Sequence, residues 1–139
     1  MSRTLTYALR VRSYELDSFG HVNNAVYLQY LEAARADYMT QVGLRFADFQ
    51  QWGAVPVVTK ATLEYKSFLV ADDEVLVHGE VTDLRRARFA INYRMVRALA
   101  SGRSADDSLV LTARTEFVFV NHDGKPCGVP QAFRRAFQG

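Results

Sequence analysis

Side chains able to do chemistry are concentrated in one short stretch of the chain, residues 14–27. The stretch combines a carboxylate, an imidazole, two amides and a phenol, carried by Asp17, His21, Asn23, Asn24 and Tyr27. It lies where a strand pattern gives way to a helix pattern, and a helix start presents free N–H groups and a partial positive charge. In that field a carboxylate suits a nucleophile or a general base better than a general acid. With donors for a developing oxyanion beside it, such a carboxylate is equipped for acyl transfer to water.

The same residue types also occur at ordinary helix entries. Asp, Ser, Gly and Asn cap helices and form turns, so spacing alone favours a capping role for Asn24 and a loop role for His21. Gly20 would allow the backbone to turn tightly or to approach a ligand closely. Spacing therefore leaves capping and catalysis both open.

Hydrophobic periodicity predicts the elements that must position this stretch. Alternation over Leu5–Tyr14 predicts a strand, and apolar residues spaced by three and four over Asn24–Val42 predict an amphipathic helix of about five turns. Asn23 or Asn24 can cap the helix start, and Gly43 suits the position after its end. The side of the helix that faces the core is predicted to carry Tyr27, Leu31, Ala34, Tyr38 and Val42.

Strand patterns dominate the rest of the chain. After a loop through Gly53, alternation predicts strands near 57–66, 75–81, 87–95 and 109–120, with a hairpin loop at 101–108 and a short helix at 130–137. Short links favour antiparallel pairing, and a lone long helix must bury its apolar stripe. The sequence thus predicts an α+β fold, a curved antiparallel sheet wrapped around one long central helix, in a single domain spanning residues 1–139.

Some strands carry apolar residues on the side that should be polar. These residues are Val58, Val96, Val110, Val118 and Val120. They indicate a second, partly buried sheet face, and hence self-association.

Composition limits the classes of protein that the chain could be. It has 139 residues, 49% hydrophobic and 23% charged, with a net charge of +2 from 17 basic and 15 acidic residues. This is globular composition, and the charge is too small to demand a nucleic-acid or membrane partner. The single Cys127, the lack of an apolar leader and the lack of a 20-residue apolar run predict a cytoplasmic protein without disulfides. No nucleotide-binding, zinc-protease or serine-hydrolase motif is present, and the three histidines lack metal-site spacing.

A set of motifs spread over nearly the whole chain resembles one family, the hotdog-fold acyl-CoA thioesterases of the 4-hydroxybenzoyl-CoA thioesterase-like family. The opening motif corresponds to Asp17-Ser18-Phe19-Gly20-His21-Val22-Asn23-Asn24, then Tyr27, Tyr30-Leu31-Glu32 and Ala34-Arg35. Similar later segments are Leu63-Glu64-Tyr65, Asp73-Glu74-Val75 and Gly128-Val129-Pro130. The resemblance shifts the interpretation of residues 17–24 from capping to catalysis. The motif is also similar to that of related acyl carrier protein thioesterases, so the thiol carrier stays open.

The resemblance implies hydrolysis of an acyl-CoA thioester to a carboxylic acid and free CoA. Asp17 would attack the thioester carbonyl or activate water, and a first-turn amide on Asn24 would polarise the thioester oxygen. His21 and Asn23 would assist. The acyl pocket would involve Tyr27, Phe19 and Glu64, with Glu64 able to reach a neighbouring subunit's site. No cofactor or metal is expected, because a thioester is already activated.

The resemblance also implies dimers, often paired into tetramers, with the active site between subunits. Lys66, Arg86 and Arg88 could then meet the phosphates of coenzyme A. For any single arginine, a solvated hairpin end is favoured over a phosphate contact. RNA binding is disfavoured because the nearby aromatic residues lie at core spacing and no RNA-binding motif is present. The chain departs from the family at 66–69, where members often carry a proline. That departure bears on acyl specificity more than on the reaction.

Two other classes of function remain open. A non-catalytic acyl-thioester binder would use the same pocket without needing an ionised Asp17. A hydratase or dehydratase on this fold is less consistent with the helix-entry motif.

Overall fold

The computed structural model describes residues 3–98 and 108–138. The strands are β1 (Thr4–Arg10), β2 (Val55–Tyr65), β3 (Glu74–Thr82), β4 (Arg88–Arg97) and β5 (Leu109–Val120). The α-helices are α1 (Asn24–Gln41), α2 (Phe46–Trp52) and α3 (Gln131–Gln138), and a 3-10 turn spans Ser13–Glu15. The predicted hairpin loop at 101–108 lies outside the described residues except for Ser108.

The strands form one antiparallel sheet in the order β1-β3-β4-β5-β2. Helix α1 packs on this sheet and buries four residues of the predicted stripe, Tyr27, Leu31, Ala34 and Tyr38, together with Tyr30. The fifth, Val42, follows the end of the helix and is half-buried. The helix comes close to the sheet at Gly79 on β3, where an added Cβ would collide with the ring of Tyr38. The predicted α+β architecture, a sheet around one long helix, is confirmed.

Two local predictions are wrong. The first strand ends at Arg10 instead of Tyr14, because Val11 exchanges backbone hydrogen bonds with Asp72 and Asp73 and the chain then enters the 3-10 turn. The stretch before Gly53 is not all loop, since it contains α2. That helix begins where Asp48 accepts from the amide of Arg45 at 2.7 Å and ends at Gly53, whose φ is +64°.

Strand β2 forms one edge of the sheet, and it is largely exposed on both faces. A register shift between Val58 and Lys60 reverses the alternation, so Val58 pairs with the buried Phe117 and lies on the core face. Val58 is nevertheless 43% exposed, because nothing in the described chain covers it. A single chain thus leaves apolar surface open along this edge.

Most of the valines that suggested a second apolar face are already covered within one chain, so self-association stays a prediction. Val96, Val110 and Val118 are buried within the single chain, and Val120 is half-buried. Of the five, only Val58 is substantially exposed. If the chain self-associates, the open apolar surface is therefore at the β2 edge and not across the outer face of the sheet.

Candidate active site

A tight turn over residues 17–21 holds the predicted catalytic pair. Leu16 and Val22 pair as an isolated antiparallel bridge, which closes the turn at its base. The amide of Asp17 donates to the carbonyl of His21 at 2.7 Å, and the amide of Gly20 donates back to Asp17 at 3.1 Å. Gly20 has φ +82°, a conformation that favours glycine. The turn thus places Asp17 and His21 opposite each other, just before α1.

The two carboxylate oxygens of Asp17 have different surroundings. Oδ1 accepts from the amides of Phe19 at 2.8 Å and His21 at 3.3 Å. Oδ2 accepts no hydrogen bond from any residue in the described part of the chain, and the side chain is exposed. The amides that orient this carboxylate therefore belong to its own turn, and none of those at the start of α1 donates to it.

The start of α1 is capped by Asn23. Its Oδ1 accepts from the amide of Ala25 at 2.9 Å, which satisfies one first-turn donor. The amide of Asn24 has no acceptor within residues 3–98 and 108–138, while its carbonyl accepts from the hydroxyl of Tyr65 at 3.1 Å. One N–H of the helix start is thus left free to bind an oxygen of a ligand.

The imidazole of His21 is held by a ring and not by a hydrogen bond. It stacks on Phe68 with centroids 3.9 Å apart and planes 14° apart. Neither ring nitrogen has a hydrogen-bond partner among the residues that the structure describes. Phe19, in the same turn, is 86% exposed and contributes an apolar surface beside the carboxylate.

Tyr27 lies in the core beneath the turn. Its hydroxyl accepts from the amide of Leu69 at 3.0 Å, and its ring meets Tyr65 edge-on at 5.4 Å. Burial raises the pKa of Tyr27, with smaller opposing and reinforcing effects from Arg97 and Asp17, so the hydroxyl is protonated at neutral pH. A role for Tyr27 in lining an acyl pocket stays a prediction.

Glu15 is a positioning residue that the sequence analysis missed. Its carboxylate accepts from the Arg12 amide at 2.8 Å, the Arg12 guanidinium at 3.1 Å and the Tyr30 hydroxyl at 2.8 Å. Its carbonyl accepts from the amide of Asn23 at 3.0 Å. Glu15 therefore joins the turn to the interior of α1. The sequence signal for this role was the position of Glu15 within residues 14–27, where the chemically active side chains are concentrated.

The remaining predicted site residues lie further away. Glu64 is exposed on β2, and its Oε1 lies 3.6 Å from Nζ of Lys66. Tyr65 pairs with Leu111 of β5, whereas Arg88 pairs with Val118 of the same strand. Leu111 and Val118 are seven residues apart, which corresponds to about 23 Å along β5. A single chain thus does not bring Arg86 or Arg88 to Asp17.

A groove of about 810 Å³ lies at the other end of α1 from Asp17. Its lining includes Arg35, Met39, Leu44, Phe46 and Val55.

Among the helices in the described residues, none has the length and apolarity needed to cross a bilayer.

The chain matches the family model of the thioesterase-like superfamily over residues 11–137. It is 26% identical to the acyl-acyl carrier protein thioesterase ATL3 of Arabidopsis thaliana, over 99% of this chain and 69% of that protein. It is 30% identical to the long-chain acyl-CoA thioesterase FadM of Escherichia coli, over 73% of this chain and 76% of FadM. The chain therefore belongs to the thioesterase-like superfamily, and it is a thioester hydrolase.

The fold has close counterparts among solved structures. One is 4-hydroxybenzoyl CoA thioesterase from Pseudomonas sp. strain CBS-3, with a TM-score of 0.86 and 22% identity, covering 97% of this chain and 99% of that one. This similarity confirms the predicted hotdog fold.

Proposed function

We propose that this protein hydrolyses acyl-CoA thioesters to a carboxylic acid and free CoA, with Asp17 as the essential carboxylate. The observation that carries the proposal is the asymmetry of that carboxylate. Oδ1 is oriented by two amides of its own turn, and Oδ2 is exposed without a partner in the described chain. An oriented, open carboxylate next to a free helix amide is suited to attack a carbonyl or to deprotonate water.

Each route leads to the same products. As a nucleophile, Oδ2 bonds to the thioester carbon, the C–S bond breaks to release the thiolate, and water then cleaves the mixed anhydride. As a base, Asp17 takes a proton from water, whose oxygen attacks the same carbon, and the tetrahedral intermediate then collapses with cleavage of the C–S bond and release of the thiol. In both, the free amide of Asn24 binds the oxyanion, and His21 supplies the proton to the departing sulfur, with Asn23 holding the helix start in place.

Coenzyme A is the proposed carrier, and acyl carrier protein is the alternative. Relatives of both kinds occur, ATL3 acting on acyl carrier protein and FadM on acyl-CoA. In a dimer, we expect the partner's Arg86 and the partner's Arg88 to approach the turn over residues 17–21, called the Asp17 turn below. Lys66 and Glu64 would lie at the sheet edge that the two subunits share. Such an arrangement would supply the phosphate contacts that one chain lacks.

The decisive test replaces Asp17 with Asn. Asn retains an oxygen that can accept from Phe19 and His21, so the turn is kept and only the charge is lost. We expect thiol release from a panel of acyl-CoAs to fall at least 100-fold, as for loss of a nucleophile or base. Asp123→Asn, in an exposed turn, serves as the matched control and should be unaffected.

The outcome distinguishes the alternatives. An unchanged rate in the Asp17 variant would remove this residue from the reaction. Tight retention of an acyl-CoA over hours without thiol release would instead identify a binding protein. Faster hydrolysis of the same acyl group on acyl carrier protein would assign that carrier.

A further inference from the structure

Phe68 has no role in the reaction described above, yet it makes the closest ring contact of the Asp17 turn. It lies in the segment 66–72, between β2 and β3, which contributes no residue to the motifs that define the family resemblance. Its ring is 50% exposed, and its face covers the imidazole of His21 at 3.9 Å. A half-exposed aromatic residue on a flexible link would not keep such a contact unless its backbone were fixed.

The backbone around Phe68 is fixed from both sides. Leu69 is buried, its carbonyl accepts from the amide of Val22 at 2.9 Å, and its amide donates to Tyr27. The carbonyl of Phe68 itself accepts from the guanidinium of Arg97. Arg97 in turn pairs with Asp73 at 3.3 Å, where both side chains are largely buried. Phe68 therefore occupies a set position relative to the turn.

The way in which His21 is oriented is unusual for a proton-transfer residue. Such a histidine is generally aligned by a hydrogen bond to its second nitrogen, which also selects the tautomer. Here no residue in the described ranges accepts from or donates to either ring nitrogen. A stacked ring restricts the plane of the imidazole but leaves both nitrogens free, so either could give or take a proton.

We infer that Phe68 is a positioning residue, which sets the plane of the His21 imidazole beside Asp17 by stacking. The inference rests on the proposed function, because it assigns Phe68 an effect on the proton step of that reaction. Phe68 acts through His21 and not on the substrate. Its loss should therefore lower kcat and leave KM nearly unchanged.

The test uses Phe68→Leu, which removes the ring and keeps an apolar side chain, and Phe68→Tyr, which keeps the ring. We expect kcat for an acyl-CoA to fall about tenfold in the Leu variant and to be restored in the Tyr variant. Val70→Ala is the control, since Val70 is an apolar side chain of the same segment, 38% exposed and without a ring that could stack on His21, and it should show no change.

A double-mutant cycle separates positioning from other effects. If Phe68 acts through His21, then Phe68→Leu should change kcat less than twofold when His21 is already Gln. NMR gives a readout independent of activity: the imidazole protons of His21 should be shifted upfield by the adjacent ring and should lose that shift in Phe68→Leu.

Equal losses of kcat in both backgrounds, or imidazole shifts that do not depend on Phe68, would overturn the inference. Activity in the parent protein that is lost with Asp17→Asn but insensitive to Phe68→Leu would overturn it while keeping the proposed function. Absence of thiol release from the parent protein would overturn both.

Discussion

The polar side chains near the Asp17 turn fall into two groups. Some are hydrogen-bonded to neighbouring residues, and others are open to a ligand. The hydroxyl of Tyr27 accepts from the amide of Leu69, and the carboxylate of Glu15 accepts from Arg12 and Tyr30. The Oδ2 atom of Asp17 and the ring nitrogens of His21 have no partner in the described chain. The sequence showed that these residue types occur together, but it could not show which of them are occupied. Occupancy depends on Leu69 and Tyr30, which come from other segments.

At the residue scale, we predict that Tyr27→Phe destabilises the protein by about 1–3 kcal/mol, because the buried amide of Leu69 loses its acceptor. The ring and its packing remain, so the effect reports the hydroxyl alone. Urea unfolding of the variant and the parent measures it. Tyr14→Phe is the control, since Tyr14 is 80% exposed, and it should change stability by less than about 0.5 kcal/mol. Equal stabilities for the two variants would contradict the prediction.

At the element scale, the 3-10 turn is the joint between β1 and α1. Glu15 links it to Arg12 and to Tyr30 on the helix, and its side chain is only 11% exposed. Burial alone would raise the pKa of Glu15, but the hydrogen bonds from Arg12 and Tyr30 together lower it below its usual value. The folded state therefore binds the Glu15 proton less tightly than the unfolded state does.

A pH dependence of stability follows from this shift. Because the folded pKa is lowered, the stabilising contribution of Glu15 is fully present above the unfolded pKa of 4.5 and is lost as the pH falls through the folded value. We predict that Glu15→Gln is less stable than the parent above about pH 5 and that the difference narrows below pH 4.5. Denaturant unfolding at a series of pH values measures the difference.

The control for this series is Glu74→Gln. Glu74 pairs with Arg10 at 2.8 Å, but both side chains are more than 60% exposed, so its loss should change stability by less than about 1 kcal/mol. A difference between Glu15→Gln and the parent that stays constant from pH 7 to pH 3.5 would contradict the prediction.

The helices differ in how strongly their own residues predict them. Helix α1 has 18 residues, and its stripe of Tyr27, Leu31, Ala34 and Tyr38 is evident from spacing alone. Helix α2 has seven residues, too few to be stable in isolation, so its formation depends on packing. Phe49 and Trp52 of α2 contact each other edge-on at 5.1 Å, and Phe49 also meets Phe133 of α3. The only local signals for α2 were Asp48 near its start and Gly53 at its end.

At the scale of the whole molecule, the open β2 edge predicts self-association. Val58 faces the core side and is 43% exposed, and Tyr65 is 48% exposed further along the strand. Two copies paired antiparallel along β2 would bring the Tyr65 end of one strand, which contacts Asn24, to the Val55 end of the other. The Asp17 turn of one copy would then lie near the large groove of its partner.

We predict that Val58→Lys weakens this association and lowers the thioesterase activity, because a charge on the core face of an edge strand opposes pairing. Sedimentation velocity and thiol release at several protein concentrations measure the two effects together. Val57→Lys is the control, since Val57 is similarly exposed but pairs with Val118 on the opposite face. A parent protein that is monomeric and fully active would contradict the prediction.

The sequence by itself determined the number of strands after α1 and the long helix, and it showed that Asp17, His21, Asn23 and Asn24 lie within one short stretch. It could do so because side-chain periodicity and helix-entry residues are local properties of the chain. Tertiary structure decided the bulge that turns Val58 inward, the burial of Val96, Val110 and Val118, and the stacking of Phe68 on His21. Those features depend on contacts between residues distant in the chain, whose geometry is set only when the whole sheet and helix pack together.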